Sequence, residues 1–184
     1  MRLTSNLLPL LTAAPHPRVL SVLNGGKETS LREDDLGLEK NWSPFAVINQ
    51  ATTLHTLAFY HLAAENPTVT FVHAFPGLVK TDIGTHMRAP DNAGILKRIY
   101  AAMVRGLVAT MMFFFGITPR TSGERQVYHL TSSVFQPGVW LLNEHSDVVD
   151  APGAVVRYRE SGWPKRAWEF TAGVFERTLQ GTGA

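Results

Sequence analysis

The chain has 184 residues, of which 45% are hydrophobic, and this length suffices to bury the core of one domain. Its formal net charge is +2, and the basic residues are scattered rather than interleaved with aromatic residues in a stripe, so nucleic-acid binding is not expected. Cysteine is absent, which excludes a disulfide framework, a thiolate nucleophile and a cysteine-based zinc site. That composition fits a reducing compartment, and we expect a cytoplasmic protein.

A helix and a strand are predicted at the start of the chain. Residues 2–11 carry apolar positions dense enough for a helix, with Pro9 in its last turn or kinking it. A secretory signal is the competing interpretation, but Pro9 interrupts the apolar run and no small-residue cleavage site follows cleanly. Residues 18–23 predict a buried strand, bounded by Pro17 and by the turn residues 24–26.

A charged loop and a long helix come next. Residues 27–40 have loop character, and their acidic run 33–35 is interpreted as a solvated face because nothing nearby completes a metal-ligand set. A helix is predicted from Ser43, its N-cap, through Pro44 at the first helical position to Glu65. Four apolar residues recur at helical spacing and predict its buried face: Ala51, Leu54, Ala58 and Leu62.

Four histidines were weighed as ligands or bases. His55 and His61 are six residues apart and fall on different faces of the predicted helix, so a shared metal is not expected. Each is interpreted as a polar surface or interface residue. His73, inside an apolar strand, is interpreted as a core histidine with satisfied hydrogen bonds, and His86 in a loop has no assigned chemistry.

The stretch 69–81 is the most informative in the chain. It begins with alternating β-branched and aromatic residues that predict a strand, and this strand stops at Pro76-Gly77, where glycine permits an unusual turn. Polar Lys80 and Thr81 follow. Ligands bind beyond the carboxyl ends of strands in a parallel sheet, so backbone amides and the Thr81 hydroxyl could meet a ligand here. The alternative is that Pro76-Gly77 merely ends a buried strand.

The next helix is unusually apolar. Asp91 is its predicted N-cap, and residues 106–117 are wholly uncharged. Lys97, Arg98 and Arg105 break the run of roughly 20 apolar residues that a bilayer span needs, so membrane contact is not expected. A core or dimer-interface helix is favoured, a substrate lid is the second interpretation, and a monotopic membrane contact is the third.

Three further segments follow. Residues 126–131 fit either a helix or a strand, and both stay open. Residues 139–142, introduced by Pro137-Gly138, predict a strand, and residues 164–180 predict an amphipathic closing helix.

Five motifs in this order resemble the C-terminal half of the short-chain dehydrogenase/reductase family, particularly its divergent fungal members. They are Asn6-Leu7-Leu8-Pro9-Leu10-Leu11, Arg18-Val19-Leu20-Ser21-Val22-Leu23, Leu62-Ala63-Ala64-Glu65-Asn66-Pro67, Pro76-Gly77-Leu78-Val79-Lys80-Thr81 and Ser122-Gly123-Glu124-Arg125. The resemblance implies an α/β fold, a partial doubly wound parallel sheet that is Rossmann-like and lacks the N-terminal βαβ units. It also implies one domain over residues 1–184.

The resemblance further implies where a cofactor and a substrate would bind. Pro76, Gly77, Val79 and Thr81 would contact the nicotinamide end of NADP or NAD. Asn24 stands where the family has its catalytic serine, and an asparagine amide can donate a hydrogen bond to a carbonyl oxygen. The other interpretation of Asn24 is an Asn-Gly turn that tolerates positive φ.

Two family motifs are missing from the sequence. Working members carry Tyr-x-x-x-Lys at the start of the long helix, but here the tyrosine position falls within residues 45–48 and the lysine position within residues 49–52. Tyr60 lies late in the helix without a partner lysine. The glycine-rich turn that cradles pyrophosphate does not occur either.

Two functions therefore follow from the sequence. The first is an oxidoreductase of the short-chain type that acts on a carbonyl or alcohol of a lipophilic small molecule, in secondary metabolism by analogy with relatives. The second is a truncated, non-catalytic Rossmann-like scaffold or interaction subunit. A homo-oligomer is compatible with either.

Overall fold

The computed structural model describes residues 1–81 and 94–180. The chain divides into two compact units, Met1–Phe75 with His129–Ala184, and Pro76–Tyr128. The prediction of one domain stays a prediction. Asp82, His86 and Asp91 lie outside the described residues.

A parallel sheet of three strands in the order β1-β2-β3 forms the centre of the first unit. Its strands are β1 (Arg18–Val22), β2 (Thr70–Ala74) and β3 (Gly138–Leu142). In the register of the sheet, Phe71 lies between Val19 and Val139. All three predicted strands are therefore confirmed, and so is the parallel α/β class, because consecutive strands are joined by helical connections. The expectation that the first strand is buried is wrong, since Val22 is exposed and the other residues of β1 are half-buried.

Six helices and one 3-10 turn make up the remaining regular structure of the described residues. They are α1 (Arg2–Ala13), the 3-10 turn (Glu33–Asp35), α2 (Pro44–Glu65), α3 (Ile95–Phe115), α4 (Pro119–Thr131), α5 (Gly153–Glu160) and α6 (Trp163–Gln180). Residues 126–131, which fitted a helix or a strand, are helical. The reason lies upstream, where the Thr118 hydroxyl accepts from the Thr121 amide at 3.1 Å and Pro119 provides a preorganised start.

The long helix α2 begins and ends where the sequence predicts. The Ser43 hydroxyl accepts a hydrogen bond from the Ala46 amide at 3.1 Å, and Pro44 occupies the first turn. Leu54 and Leu62 are buried as expected, but Ala51 is exposed. Gln50 and Thr52, on either side of Ala51, are buried, so at this turn the helix buries its polar residues and turns Ala51 to solvent.

The core of the first unit lies on both faces of the sheet. On one face, Phe71 packs against Phe59 and Leu62 of α2, with Leu8 of α1 at the edge of the cluster. On the other face, Phe135 packs against Val72, Ala74 and Leu142. A third cluster joins α2 to α5 and α6. Full burial of a side chain such as Phe59 is worth about 1.5–3 kcal/mol, so these clusters fix α2 on the sheet.

The second unit contains α3 and the extended segment after β2. The Ile117 amide donates to the Leu78 carbonyl at 2.8 Å, and the Lys80 amide donates to the Ile117 carbonyl at 2.9 Å. Residue Val79 is thereby paired in parallel with Ile117. Within the described part of the chain no residue of α3 is buried, so the expectation of a core helix is wrong, and the alternative of a dimer-interface helix stays a prediction.

Candidate functional site

The loop after β1 folds back over the end of β2. The Leu23 amide donates to the Ala74 carbonyl at 2.9 Å, which extends the β1–β2 ladder by one bond. The Lys27 amide then donates to the Asn24 carbonyl at 3.0 Å and closes a turn. A Cβ atom on Gly25 would overlap the carbonyl oxygen of His73, so only glycine lets the two backbones approach this closely.

Asn24 lies at the carboxyl end of β1, half-buried, at the start of this turn. The residue with positive φ is Gly26, at +81°, rather than Asn24. Positive φ therefore does not explain the asparagine. Its role as a hydrogen-bond donor to a substrate stays a prediction.

The predicted cofactor residues Pro76, Gly77, Val79 and Thr81 belong to the second unit. Gly77 has a φ of +71°, the left-handed conformation that glycine adopts without strain, which confirms the predicted special turn. Thr81 is exposed, and the other three residues are half-buried.

The peptide groups of Val79 have a defined direction. Because Leu78 and Lys80 both bond to Ile117, the N–H and C=O of Val79 point to the opposite side of the extended segment. A carboxamide offers one donor and one acceptor group, which complements a peptide N–H and C=O. The contact of this segment with the nicotinamide end of a dinucleotide stays a prediction.

A buried polar cluster lies beneath the loop that carries Asn24. It consists of Glu28 from the loop, Thr56 from α2 and His73 from β2, and the side chains of Glu28 and His73 are fully buried. The Thr56 hydroxyl oxygen lies 2.6 Å from Glu28 Oε1 and 2.7 Å from His73 Nδ1. Glu28 Oε1 also accepts from the Gly26 amide at 3.2 Å. The cluster thus connects three separate segments at the end of the sheet.

The hydrogen bonds in this cluster have a direction. A carboxylate can only accept, so Thr56 uses its one hydroxyl proton toward Glu28. Its oxygen must then accept from His73, which assigns the proton of the ring to Nδ1. His73 therefore donates to Thr56, and Thr56 donates to the Glu28 carboxylate. Consecutive hydrogen bonds of this kind polarise and strengthen one another.

Glu28 is charged at neutral pH despite its burial. Burial on its own would raise the pKa of Glu28, but hydrogen bonds from His73 and Thr56 and from the backbone outweigh it, so the pKa is lowered. Glu28 Oε2 and His73 Nε2 have no hydrogen-bond partner among the described residues. A buried polar atom without a hydrogen bond lowers the stability of the folded state. These two atoms therefore distinguish the cluster from the apolar core around it.

A polar stripe on α2 holds the whole loop in place. Gln50, Thr53 and Thr56 are spaced three residues apart and share one side of the helix. The Thr53 hydroxyl donates to the Thr29 carbonyl at 2.7 Å, and Gln50 accepts from the Arg32 amide at 3.0 Å. Sequence reasoning treated residues 27–40 as a free charged loop and missed this stripe, although its spacing was readable.

His55 lies next to this cluster. Its ring centroid is 5.1 Å from that of His73 and 4.7 Å from that of Phe59, so it is half-buried against two rings rather than fully exposed. Burial, followed by the charges of His73 and the N-terminal amino group, lowers the pKa of His55 to about 3. His55 is therefore neutral at physiological pH.

Tyr60 does not have the surroundings expected of the tyrosine in a Tyr-x-x-x-Lys pair. The Arg159 guanidinium lies over its ring, 4.1 Å from the centroid. Burial raises the pKa of Tyr60, which is the opposite of what a proton-donating tyrosine requires.

Among residues 1–81 and 94–180 there is no group of three or more metal-ligating side chains.

Comparison with known proteins finds similarity to fungal proteins named oxidoreductases. No protein-family model matches the chain. Over its whole length the chain is 32% identical to a protein named oxidoreductase lepF from Aspergillus flavus, of which it spans 62%. The chain is similar to fungal oxidoreductases. Over 97% of its length it is 31% identical to oxidoreductase AN1596 from Emericella nidulans, spanning 59% of that protein.

A third relative carries a more specific name. Over 95% of its length the chain is 32% identical to notO from an Aspergillus species, named an NmrA-like family domain-containing oxidoreductase, and it spans 54% of that protein. The chain thus spans between half and two thirds of the curated relatives it matches.

Replacing Thr56 by valine should break the buried chain of hydrogen bonds. Thr56→Val keeps the side-chain shape but leaves the Glu28 charge and His73 Nδ1 without this partner, so we expect the free energy of unfolding to fall by about 2–3 kcal/mol. Urea denaturation at neutral pH measures it. Thr52→Val is the matched control, because buried Thr52 donates only to the Ile48 carbonyl of its own helix at 2.7 Å. Equal losses in both variants would contradict a special role of the cluster.

The low pKa of His55 predicts that stability falls as the pH drops from 7 to 5. The unfolded state, with an ordinary histidine pKa near 6.5, binds a proton in this range, while folded His55 stays neutral down to about pH 3. The unfolded state is therefore favoured by roughly 2 kcal/mol at pH 5 relative to pH 7. Urea denaturation at both pH values measures this.

Two variants isolate the contribution of His55. His55→Asn should remove most of the pH dependence, because the variant has no titrating group at that position. His145→Asn, at an exposed position, should leave the dependence unchanged. A pH dependence that survives in His55→Asn would show that another group is responsible.

Proposed function

We propose that this chain is the substrate-side part of a nicotinamide-dependent oxidoreductase of the short-chain dehydrogenase/reductase type. The observation that carries the proposal is the similarity, over at least 95% of the chain, to three fungal proteins named oxidoreductases. The parallel sheet, with the Asn24 loop at the carboxyl end of β1, is consistent with that chemistry.

The residues of the Gly77 turn have defined roles in this proposal. Gly77 turns the backbone, the Val79 peptide pairs with the nicotinamide carboxamide, and the exposed Thr81 hydroxyl bonds to the cofactor. The bound cofactor supplies or accepts a hydride. The choice between NAD and NADP depends on the residues that contact the ribose phosphate.

Asn24 has the proposed role of orienting the substrate. Its side-chain amide donates to the oxygen of a carbonyl or alcohol, which fixes the reacting carbon. The buried cluster beneath it holds the loop through the bond from the Gly26 amide to Glu28. The substrate class that we propose is a lipophilic small molecule of secondary metabolism, acted on in the cytoplasm.

A non-catalytic scaffold is the second candidate function. The observation that favours it is the start of α2, where Phe45 and Ile48 are exposed and no Tyr-x-x-x-Lys pair occurs. Tyr60, covered by Arg159, does not replace the pair. In this case the sheet would serve as a binding platform, and a homo-oligomer would be one use of it.

Cofactor binding distinguishes the two functions. Titration of the purified chain with NADPH and with NADH, followed by cofactor fluorescence, should show saturable binding if the first proposal is correct. Thr81→Ala should weaken that binding by about five- to tenfold, because it removes one hydrogen bond worth about 1–1.4 kcal/mol.

The control for this variant is Thr110→Ala. Thr110 is also exposed, and its hydroxyl donates to the Gly106 carbonyl of its own helix at 2.9 Å, so the affinity should not change. Unchanged affinity in Thr81→Ala would refute the assigned contact. The absence of binding at millimolar cofactor would favour the scaffold.

A further inference from the structure

Helix α3 presents an exposed apolar stripe. Six large side chains, each at least half exposed, are spaced at three- and four-residue intervals or their multiples and therefore share one side of the helix. They are Leu96, Ile99, Tyr100, Met103, Leu107 and Phe114. No residue of α3 is buried within the described part of the chain. A continuous apolar stripe of this length on the surface indicates a contact surface.

The charges around the stripe are all positive. Lys97, Arg98 and Arg105 lie on α3, and Arg98 and Arg105 are seven residues apart on the side away from the stripe. No aspartate or glutamate occurs between Gly94 and Gly123. A helix with one apolar face and only cations among its charged residues matches an anionic lipid surface, which offers apolar chains and negative headgroups together.

A second copy of the chain fits this surface less well. In a pair of α3 stripes the six cations would gain no acidic partner, because α3 carries no aspartate or glutamate. An anionic bilayer gives the same cations a favourable partner. The charge pattern therefore selects the membrane.

The position of Arg105 indicates how α3 would lie relative to the bilayer. Among the described residues α3 is the helix long and apolar enough to cross a membrane by length and composition, and its 21 residues span roughly 31 Å. Arg105 is the eleventh of those residues and would lie at the centre of the bilayer, where a charge is costly. A helix lying flat in the interface avoids that cost.

We propose that α3 is a membrane-surface helix, with its apolar stripe at the boundary between headgroups and acyl chains of an anionic bilayer. Tyr100 suits this depth, because its ring is apolar and its hydroxyl is polar. The proposal reverses the expectation that the chain makes no membrane contact. It does not depend on the proposed enzymatic function.

Vesicle co-sedimentation of the 184-residue chain tests the proposal. We expect binding to vesicles of equal parts phosphatidylcholine and phosphatidylserine, weaker binding to phosphatidylcholine alone, and a loss of affinity with added salt. Replacing Lys97, Arg98 and Arg105 by glutamine should reduce binding to the anionic vesicles by about fivefold for each cation removed.

A matched pair of variants identifies the helix. Leu107→Glu, in the centre of the stripe, should reduce vesicle binding by more than about tenfold. Leu10→Glu on α1 should leave binding unchanged, although Leu10 is a similarly exposed leucine. Both sites are in solvent, so circular dichroism should show folded protein in each case.

Three results would overturn the proposal. The first is that the unsubstituted chain binds neither kind of vesicle. The second is that Leu107→Glu and Leu10→Glu have equal effects. The third is a dimer in sedimentation analysis that Leu107→Glu dissociates while vesicle binding is absent, which would assign the stripe to a second copy.

Discussion

The hydrogen bond from Thr56 to Glu28 is the contact on which the end of the sheet depends. It joins α2 to the loop after β1, and the same hydroxyl oxygen bonds to His73 of β2. Without it a fully buried carboxylate would lose the shorter of its two side-chain contacts, 2.6 Å to Thr56 against 3.5 Å to His73, and a poorly compensated buried charge is strongly destabilising. Glu28 in turn accepts a hydrogen bond from the Gly26 amide, so these buried hydrogen bonds fix the position of the Asn24 turn.

Local patterns explain which parts of the fold the sequence predicts. The alternation in β2, the Ser43-Pro44 start of α2 and the Gly77 turn are each set by neighbouring residues, and all three are confirmed. The Glu28–Thr56–His73 cluster joins residues far apart in the chain, and each of them is unremarkable in its own surroundings. The spacing of Gln50, Thr53 and Thr56 was a usable signal, because three polar residues on one side of an apolar helix need partners.

Polarity was an incomplete guide to burial at two places. His55, expected at the surface or an interface, is half-buried against His73 and Phe59, and α3, expected in a core or a dimer interface, has no buried residue within the described part of the chain. Polarity alone does not determine burial, because a neutral imidazole packs well against aromatic rings and an apolar helix serves equally as core or as contact surface. The candidate cofactor segment and the Asn24 loop were located from the sequence, but their chemical roles rest on the resemblance to fungal oxidoreductases.

The tautomer of His73 tests the central claim most directly. Two-dimensional ¹H–¹⁵N correlation through the imidazole ring, on protein labelled at histidine and measured at neutral pH, distinguishes a protonated Nδ1 from a protonated Nε2. The account predicts that Nδ1 carries the proton and donates it to Thr56, as required if Thr56 donates to the Glu28 carboxylate. A neutral ring protonated only at Nε2 would contradict it, because Thr56 would then donate to His73 and leave Glu28 without that bond.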